Sequence, residues 1–134
     1  SLCGEHLSQD NMNRAIQMLE ENLNIEVREF AVAGIKYNSM FAHKWYIGTD
    51  NHIDENIVKG KIDEYLKTLN DDYRVERIAA IKELFIEILP PEVFYDWLKL
   101  KGKEGAQNKF PRVLKNEKLN DWEDFIKEYK KNIK

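Results

Sequence analysis

The chain has 134 residues, of which 43% are hydrophobic and 34% are charged, and its formal net charge is −3. This composition predicts one soluble globular domain and excludes a disordered chain. The negative net charge argues against a general nucleic-acid-binding protein. No apolar run approaches the roughly 20 residues that span a bilayer, so we expect no membrane association. The single cysteine fits a reducing, cytoplasmic location.

The first part of the chain predicts a helix and two strands. Ser8 can cap a helix over 9–23, whose apolar residues fall on one face. Residues 25–33 are rich in β-branched residues and predict a strand, and residues 42–49 predict a second strand. The loop between them, 35–41, is too short for a helical crossover, so we expect antiparallel pairing.

The middle of the chain predicts two helices and a third strand. Asp54 can cap a helix over 54–69, and Asn70 can cap a short helix that runs to about residue 80. Residues 82–89, KELFIEIL, have little polar surface. Such a run is typical of a central strand that is covered on both faces.

Two further helices are predicted after the third strand. Pro91 suits the first turn of a helix that continues to about Lys101. Asn120 and Glu123 match a capping pair at the start of the last helix. The element order α-β-β-α-α-β-α-α predicts an α+β (mixed α/β) domain, with a small three-stranded sheet flanked by helices.

A complete active site is not visible in the sequence. It contains no phosphate-binding Gly-Lys-Ser/Thr loop, no dinucleotide-binding glycine motif, no zinc-ligand spacing and no nucleophile elbow. His43 lies near a strand start and His52 in a turn, so we expect surface or half-buried roles for both. We therefore expect no metal site in this chain.

Residues 102–112, GKEGAQNKFPR, form the stretch with the most distinctive chemistry. They have no hydrophobic period and include two glycines, a proline, an amide pair and three cations, which predicts a loop. The surrounding residues 99–118 contain seven cations and two anions. A flexible cationic loop between rigid elements can donate hydrogen bonds to an anion such as phosphate. The simpler alternative, a solvated connector, is favoured by composition alone.

Three segments, in order, match the pattern of a known family. Residues 69–77, LNDDYRVER, match Leu-Asn-Ser-Asp-Tyr-x-x-x-Arg; residues 94–99, FYDWLK, match Phe-Tyr-x-Trp-(Leu/Met)-Lys; and residues 102–112 match Gly-Lys-x-Gly-Gly-Gln-(Asn/His)-Lys-Val-Pro-Arg. The chain thus resembles the C-terminal domain of the auxin-responsive acyl-acid amido synthetases, the Gretchen Hagen family. Residues 4–8, GEHLS, are similar to the segment that follows the hinge between that family's two domains.

The resemblance implies one part of a larger adenylate-forming enzyme. Such enzymes use ATP and Mg²⁺ to adenylate a carboxylic acid, and they then transfer the acyl group to an amine, usually an amino acid. The N-terminal domain binds the nucleotide and the acyl substrate, and the small C-terminal domain is a mobile lid. Residues 1–134 are therefore expected to form that lid, inactive alone, with the N-terminal adenylation domain of the same chain as its partner.

The resemblance also implies roles for individual residues. Lys109 is expected to be the catalytic lysine, which the lid brings to the adenylation site to stabilise negative charge. Its long stem suits a reach across a domain interface. Arg112, Gln107, Asn108 and Lys103 are expected to bind nucleotide or phosphate. For Arg112, a salt bridge that holds the loop is an equal alternative.

Other motif positions have weaker implications. Gly4, Glu5 and His6 are expected to line the path of the second substrate, with a structural turn as the alternative. Ala106 replaces a usual glycine and Phe110 a usual valine, which leaves the fine geometry of the loop open. The remaining aromatic and charged matches are expected to serve core packing: Tyr73, Arg77, Phe94 and Trp97.

Two other functions stay open at this stage. A stand-alone α+β binding or interaction module would keep the fold without the chemistry. An RNA-binding domain would use the basic loop, but the strands lack aromatic residues at recognition spacing and the net charge has the wrong sign. The abundance of Lys, Asn and Ile, together with the small size, favours a bacterial member of the family over a plant one.

Overall fold

The computed structural model describes residues 7–102 and 109–133. Within them the element order confirms the predicted α+β fold, a three-stranded sheet with helices packed on it. None of the described helices is both long and apolar enough to cross a membrane. The elements are α1 (Gln9–Leu23), β1 (Glu29–Tyr37), β2 (Met40–Gly48), α2 (Glu55–Leu69), α3 (Asp71–Ala79), β3 (Ile81–Leu89), α4 (Pro91–Leu100) and α5 (Asn116–Asn132).

Strands β1 and β2 form a tight antiparallel hairpin, as the short connection predicted. The predicted loop over 35–41 is wrong, because both strands extend until only Asn38 and Ser39 separate them. These two residues have φ angles of 48° and 70°. Two consecutive left-handed residues make a turn whose twist matches the strands, so the hairpin needs no longer loop.

Strand β3 pairs in parallel with β2, and the strand order is β1-β2-β3. The prediction that residues 82–89 form the central strand is therefore wrong, since β2 is central and β3 lies at an edge. Helices α2 and α3 supply the crossover that a parallel pair requires. The apolar run in β3 reflects contacts on both sheet faces: Leu84 belongs to the core under α1 and α2, and the Phe85 ring lies 5.4 Å from the Tyr37 ring.

Helices cover both faces of the sheet, so the domain has three layers. Because successive side chains of a strand point to opposite faces, Trp45 lies in one core cluster and Tyr46 in the other. The first cluster packs α1, α2 and α3 on the sheet, and the second packs α4 and α5 on the opposite face. The sheet therefore connects two separate apolar cores.

Helix starts follow the predicted caps with one exception. The side chains of Ser8, Asp54 and Asn70 cap α1, α2 and α3 as predicted, each accepting a hydrogen bond from a backbone N–H of the first turn. Helix α5 begins at Asn116, so the predicted start at Asn120 is wrong.

The side chain of Glu123, the other half of the predicted cap, makes tertiary contacts instead. It accepts hydrogen bonds from the Tyr46 hydroxyl and, at 2.9 Å, from Lys44 Nζ. Burial alone would raise the pKa of this carboxyl, but the hydrogen bonds from Tyr46 and Lys44 hold it below its usual value. Glu123 thus ties α5 to β2.

Candidate functional site

Only part of the predicted site falls within the described residues. Lys109 and Arg112 are described. The other predicted ligand-binding residues, the second-substrate residues and the alanine that departs from the family pattern lie outside the described residues: Lys103, Gln107, Asn108, Gly4, Glu5, His6 and Ala106.

The loop begins where α4 is ended by a glycine. Gly102 has a φ of 70°, a conformation that side-chain-bearing residues rarely adopt, and its N–H donates to the Lys99 carbonyl at 3.0 Å. A glycine in this conformation just past the last helical turn is a common helix terminator. The polar stretch therefore starts at a defined point, one residue beyond Lys101.

On the far side of the loop, Phe110 is held in the second core cluster. Its side chain is only 2% exposed. Its ring centroid lies 4.9 Å from that of Phe94, 5.2 Å from that of Trp97 and 4.8 Å from that of Trp122. The phenyl ring that replaces the family's valine is thus accommodated in a pocket of aromatic side chains. Lys109, the preceding residue, is exposed at the edge of this cluster.

Arg112 is engaged by β1. Its Nη1 donates to Glu29 Oε1 at 2.7 Å and to the Phe30 carbonyl at 2.9 Å. Its guanidinium carbon also lies 4.4 Å from the centre of the Phe30 ring, within cation–π range. These contacts are those expected of the salt bridge that holds the loop. The predicted contact between Arg112 and nucleotide stays a prediction.

Backbone pairing fixes the same segment to the outer edge of β1. The Val32 N–H donates to the Arg112 carbonyl at 2.7 Å, and the Leu114 N–H donates to the Val32 carbonyl at 3.0 Å. Val113 forms a parallel bridge with Val32. The chain that follows Lys109 is therefore held by one aromatic side chain, one ion pair and two backbone hydrogen bonds.

An open groove of about 620 Å³ lies between the end of α4 and the start of α5. Its apolar wall contains Trp97, Leu98 and Pro111. Its charged lining consists of three lysines and two carboxylates: Lys101, Lys109, Lys118, Glu117 and Asp121. An apolar wall with several cations suits a ligand that is partly apolar and partly anionic.

The lysines of the groove differ in their partners. Asp121, on the groove wall, accepts a hydrogen bond from Lys101 Nζ at 2.7 Å and from Trp97 Nε1 at 2.9 Å. These two donors hold the pKa of the Asp121 carboxyl below its usual value. Within the described part of the chain, Lys109 and Lys118 form no salt bridge, so their charges are the ones available to an anion.

The motif at residues 69–77 serves a structural junction. The Tyr73 hydroxyl donates to Asp63 Oδ1 at 2.7 Å, and Arg77 donates from Nε to the same oxygen at 2.9 Å and from Nη1 to the Ile81 carbonyl at 2.8 Å. Burial, together with the Asp63 charge, raises the pKa of Tyr73. These contacts join α2, α3 and β3, in agreement with the packing role expected for Tyr73 and Arg77.

Several residues that contact Arg112 or Phe110 could not be identified from the sequence near those two positions. Glu29 lies 83 residues before Arg112 along the chain. Trp122, which contacts Phe110, lies on the buried side of α5. Such contacts depend on the tertiary fold, and no spacing rule connects their members.

Two solved structures contain a region with the same fold as this chain. One is described as GH3.15 acyl acid amido synthetase: its TM-score is 0.72 at 17% identity, over 95% of this chain and 25% of that one. Another, AtGH3.15 acyl acid amido synthetase in complex with 2,4-DB, has a TM-score of 0.70 at 18% identity, over 95% of this chain and 24% of that one. This chain therefore spans about a quarter of the length of those proteins.

The family follows from the sequence match. The model described as GH3 family C-terminal domain matches residues 10–118, which is most of the chain. The chain therefore belongs to the GH3 family and corresponds to its C-terminal domain, which confirms the resemblance to the Gretchen Hagen synthetases. No curated protein sequence matches the chain significantly.

Proposed function

We propose that this chain is the mobile C-terminal lid of an ATP-dependent acyl-acid amido synthetase. The full-length enzyme adenylates a carboxylic acid and transfers the acyl group to an amine such as an amino acid. Family membership supports this proposal, as does the fold shared with two chains described as acyl acid amido synthetases. The partner of the lid is the N-terminal adenylation domain of the same chain.

The observation that carries the proposal is the placement of Lys109. It is exposed on the groove between α4 and α5, and the next residue, Phe110, is buried among aromatic side chains. Charge stabilisation is most effective when the donor is held in place before the reaction. Lys109 forms no salt bridge with the described residues and precedes a buried residue, which suits this requirement, and it can approach the reacting phosphate when the lid closes.

In this proposal Arg112 acts chiefly by holding Lys109 in place. Gln107, Asn108 and Lys103 contact the nucleotide from the preceding stretch, and Gly4, Glu5 and His6 line the path of the amine. These assignments rest on the family pattern.

In this proposal the cosubstrate is ATP, whose phosphates are negatively charged. Lys109 and Lys118 supply positive charge that suits a phosphate group. No group of three His, Cys, Asp or Glu side chains that could hold a metal ion occurs within the described residues. The proposal therefore assigns Mg²⁺ to the N-terminal domain. It includes a cytoplasmic, bacterial enzyme, because the reaction consumes ATP and the composition is typical of a bacterial member.

The proposal is tested by ATP–pyrophosphate exchange with the full-length protein over a panel of carboxylic acids. We expect some acid to drive exchange and Lys109→Ala to reduce the rate by about 10²-fold or more, the size of losing one charge-stabilising contact. Lys127→Ala is the matched control, because Lys127 is also exposed but lies on α5 away from the groove.

Two other results of the exchange assay would contradict parts of the proposal. Equal exchange by wild type and Lys109→Ala would show that Lys109 is not the catalytic lysine. A well-folded full-length protein that exchanges with no acid would favour the binding-module function instead.

A further inference from the structure

The indole of Trp97 is held both by packing and by a hydrogen bond. Its Nε1 donates to Asp121 Oδ2 at 2.9 Å, which connects α4 to α5. Its ring centroid lies 5.2 Å from that of Phe110 and 5.5 Å from that of Trp122. Only 3% of Trp97 is exposed. Because a hydrogen bond prefers a narrow range of angles, the bond to Asp121 selects one orientation of the ring.

This hydrogen bond distinguishes Trp97 from the other two tryptophans. The indole nitrogens of Trp45 and Trp122 are buried and have no hydrogen-bond partner among the described residues. Packing orients those two rings, whereas Trp97 also has a carboxylate on another helix. Hydrogen bonds to an ionised acceptor are shorter and roughly twice as strong as bonds between neutral groups. Asp121 therefore constrains the Trp97 ring more strongly than packing alone would.

The charge of Asp121 is compensated by Lys101. Lys101 Nζ lies 2.7 Å from the same Asp121 oxygen and 5.9 Å from the centre of the Trp97 ring. A carboxylate on the groove attracts the cations that line it, and Lys109 is one of them. Within the described part of the chain, Asp121 pairs with Lys101 and Lys109 forms no salt bridge. Asp121 thus holds the indole without taking Lys109 as its partner.

The constraint on Trp97 reaches Lys109 through Phe110. The Phe110 ring is seated between α4 and α5, against Phe94 and Trp97 on one helix and Trp122 on the other. Lys109 directly precedes this ring in the chain. Because protein interiors are close-packed, a change in the orientation of one ring shifts the rings that pack on it. A turned indole would therefore move Phe110 and, with it, the backbone of Lys109.

We propose that Asp121 is a positioning residue for the adenylation reaction, because its hydrogen bond to Trp97 fixes the ring that seats Phe110 and so places Lys109. The inference rests on the proposed function, in which Lys109 stabilises charge at the reacting phosphate. Asp121 acts through Trp97 and Phe110 and makes no contact with a substrate. A misplacement of about 1 Å can cost on the order of 10²-fold in rate, so kinetics can detect the loss of this constraint.

The kinetic test is ATP–pyrophosphate exchange with the full-length protein. Asp121→Ala removes the acceptor of the Trp97 N–H, whereas Asp121→Asn keeps an oxygen in its place. We expect Asp121→Ala to lower kcat on the order of tenfold. The KM for ATP should change less than about twofold, because the misplaced lysine acts in the transition state. Asp121→Asn should lose much less than Asp121→Ala.

The Lys109→Ala background separates positioning from a general structural defect. If Asp121 acts through Lys109, Asp121→Ala should cause no further loss of pyrophosphate exchange in a chain that already lacks the lysine. An equal fold-loss in both backgrounds would overturn the proposal.

Tyr65→Phe is the matched control for the loss of one interhelical hydrogen bond. The Tyr65 hydroxyl accepts from Asn22 Nδ2 at 2.6 Å and joins α1 to α2. Tyr65 belongs to the core cluster on the opposite face of the sheet from Trp97 and Phe110. We expect Tyr65→Phe to leave the rate of pyrophosphate exchange unchanged.

Deuterium uptake measures the placement of the segment without using activity. In full-length Asp121→Ala, the peptide covering residues 109–114 should take up deuterium several-fold faster than in wild type, with no change in the peptides of α1. Equal uptake over 109–114 in the two proteins would overturn the proposal. Tyr65→Phe should leave the uptake of this segment as in wild type.

The two assays distinguish failure of the positioning proposal from failure of the proposed function. If Lys109→Ala loses pyrophosphate exchange and Asp121→Ala does not, only the positioning role is wrong. If Lys109→Ala exchanges as well as wild type, Lys109 is not the catalytic lysine and the positioning role fails with it. If no acid drives exchange, the proposed function is contradicted, and deuterium uptake alone shows whether Asp121 fixes the segment.

Discussion

His43 is a buried polar residue of β2. The sequence suggested a surface or half-buried role, but the side chain is 0% exposed, and neither ring nitrogen has a hydrogen-bond partner among the described residues. The ring lies 5.9 Å from the ring of Tyr73, whose hydroxyl donates to Asp63. Burial, and then the positive charge of Arg77, lowers the pKa of His43 from 6.5 to about 4.

This environment predicts an acid-sensitive contribution to stability. Below pH 6.5 the unfolded chain binds a proton that the folded chain does not, until the folded-state pKa near 4 is reached. In that window the unfolding free energy of the wild type should fall, relative to His43→Leu, by about 1.4 kcal/mol per pH unit. The two should run parallel above pH 7. Urea denaturation at several pH values measures this difference.

Exposed His52 provides the control, because His52→Leu changes no buried imidazole. If His43→Leu and wild type lose stability in parallel on acidification, the depressed pKa of His43 is wrong.

At the scale of elements, the segment 112–114 is an added strip on the edge of β1. Only one residue pair forms the bridge, Val113 with Val32. The Arg112 contacts with Glu29 and Phe30 therefore contribute much of what holds the strip. Glu29 retains only 15% side-chain exposure, so loss of Arg112 would leave a largely desolvated carboxylate without its partner.

We predict that Arg112→Ala lowers the free energy of unfolding by about 1–3 kcal/mol. Arg112→Lys should lose less, because it keeps the charge but not the planar fork and the stacking on Phe30. Urea denaturation of the two variants against wild type measures both effects. If Arg112→Ala is as stable as wild type, the ion pair makes no net contribution to the free energy of unfolding.

Element boundaries show which parts of the fold the sequence determines locally. Helix α1 was predicted over its observed span, because the cap at Ser8 and the apolar period are both local. The start of α5 was missed because Asn120 and Glu123 match a capping pair, whereas Glu123 makes long-range contacts to β2. Strand order was also missed, since the same apolar run in β3 suits a central strand or an edge strand covered by helices.

The candidate site also has some features that follow from local sequence and others that depend on tertiary contacts. The loop over residues 102–112 was predicted from local composition, and the end of α4 just before Gly102 agrees with its predicted start. The burial of Phe110 and the partner of Arg112 were not predictable, because their contacts lie on other elements. Local composition thus predicted a candidate site, and tertiary packing decides which of its described cations have carboxylate partners.

At the scale of the whole molecule, one sheet is shared by two apolar cores. Trp45 belongs to the core under α1 and α2, whereas Trp97 and Trp122 belong to the core under α4 and α5. Neither core can lose its packing while the sheet stays intact, because each strand contributes side chains to both faces. The domain should therefore unfold as one cooperative unit.

This cooperativity predicts coincident unfolding transitions. In Trp45→Phe the remaining tryptophans report only the α4–α5 core, whereas far-ultraviolet circular dichroism reports all helices. The urea midpoints from the two signals should agree. Separate midpoints would mean that the two cores unfold independently.

Helix α5 gives the domain a natural position for an optical probe. Its 17 residues extend about 25 Å, from the groove at Glu117 and Lys118 to the far edge of the sheet, where Lys130 contacts Glu87. Trp122 and Ile126 hold it against the core. Ile133, just past its end, is 65% exposed. A fluorophore there would test the proposed rotation of the domain by energy transfer, without touching the lysine groove.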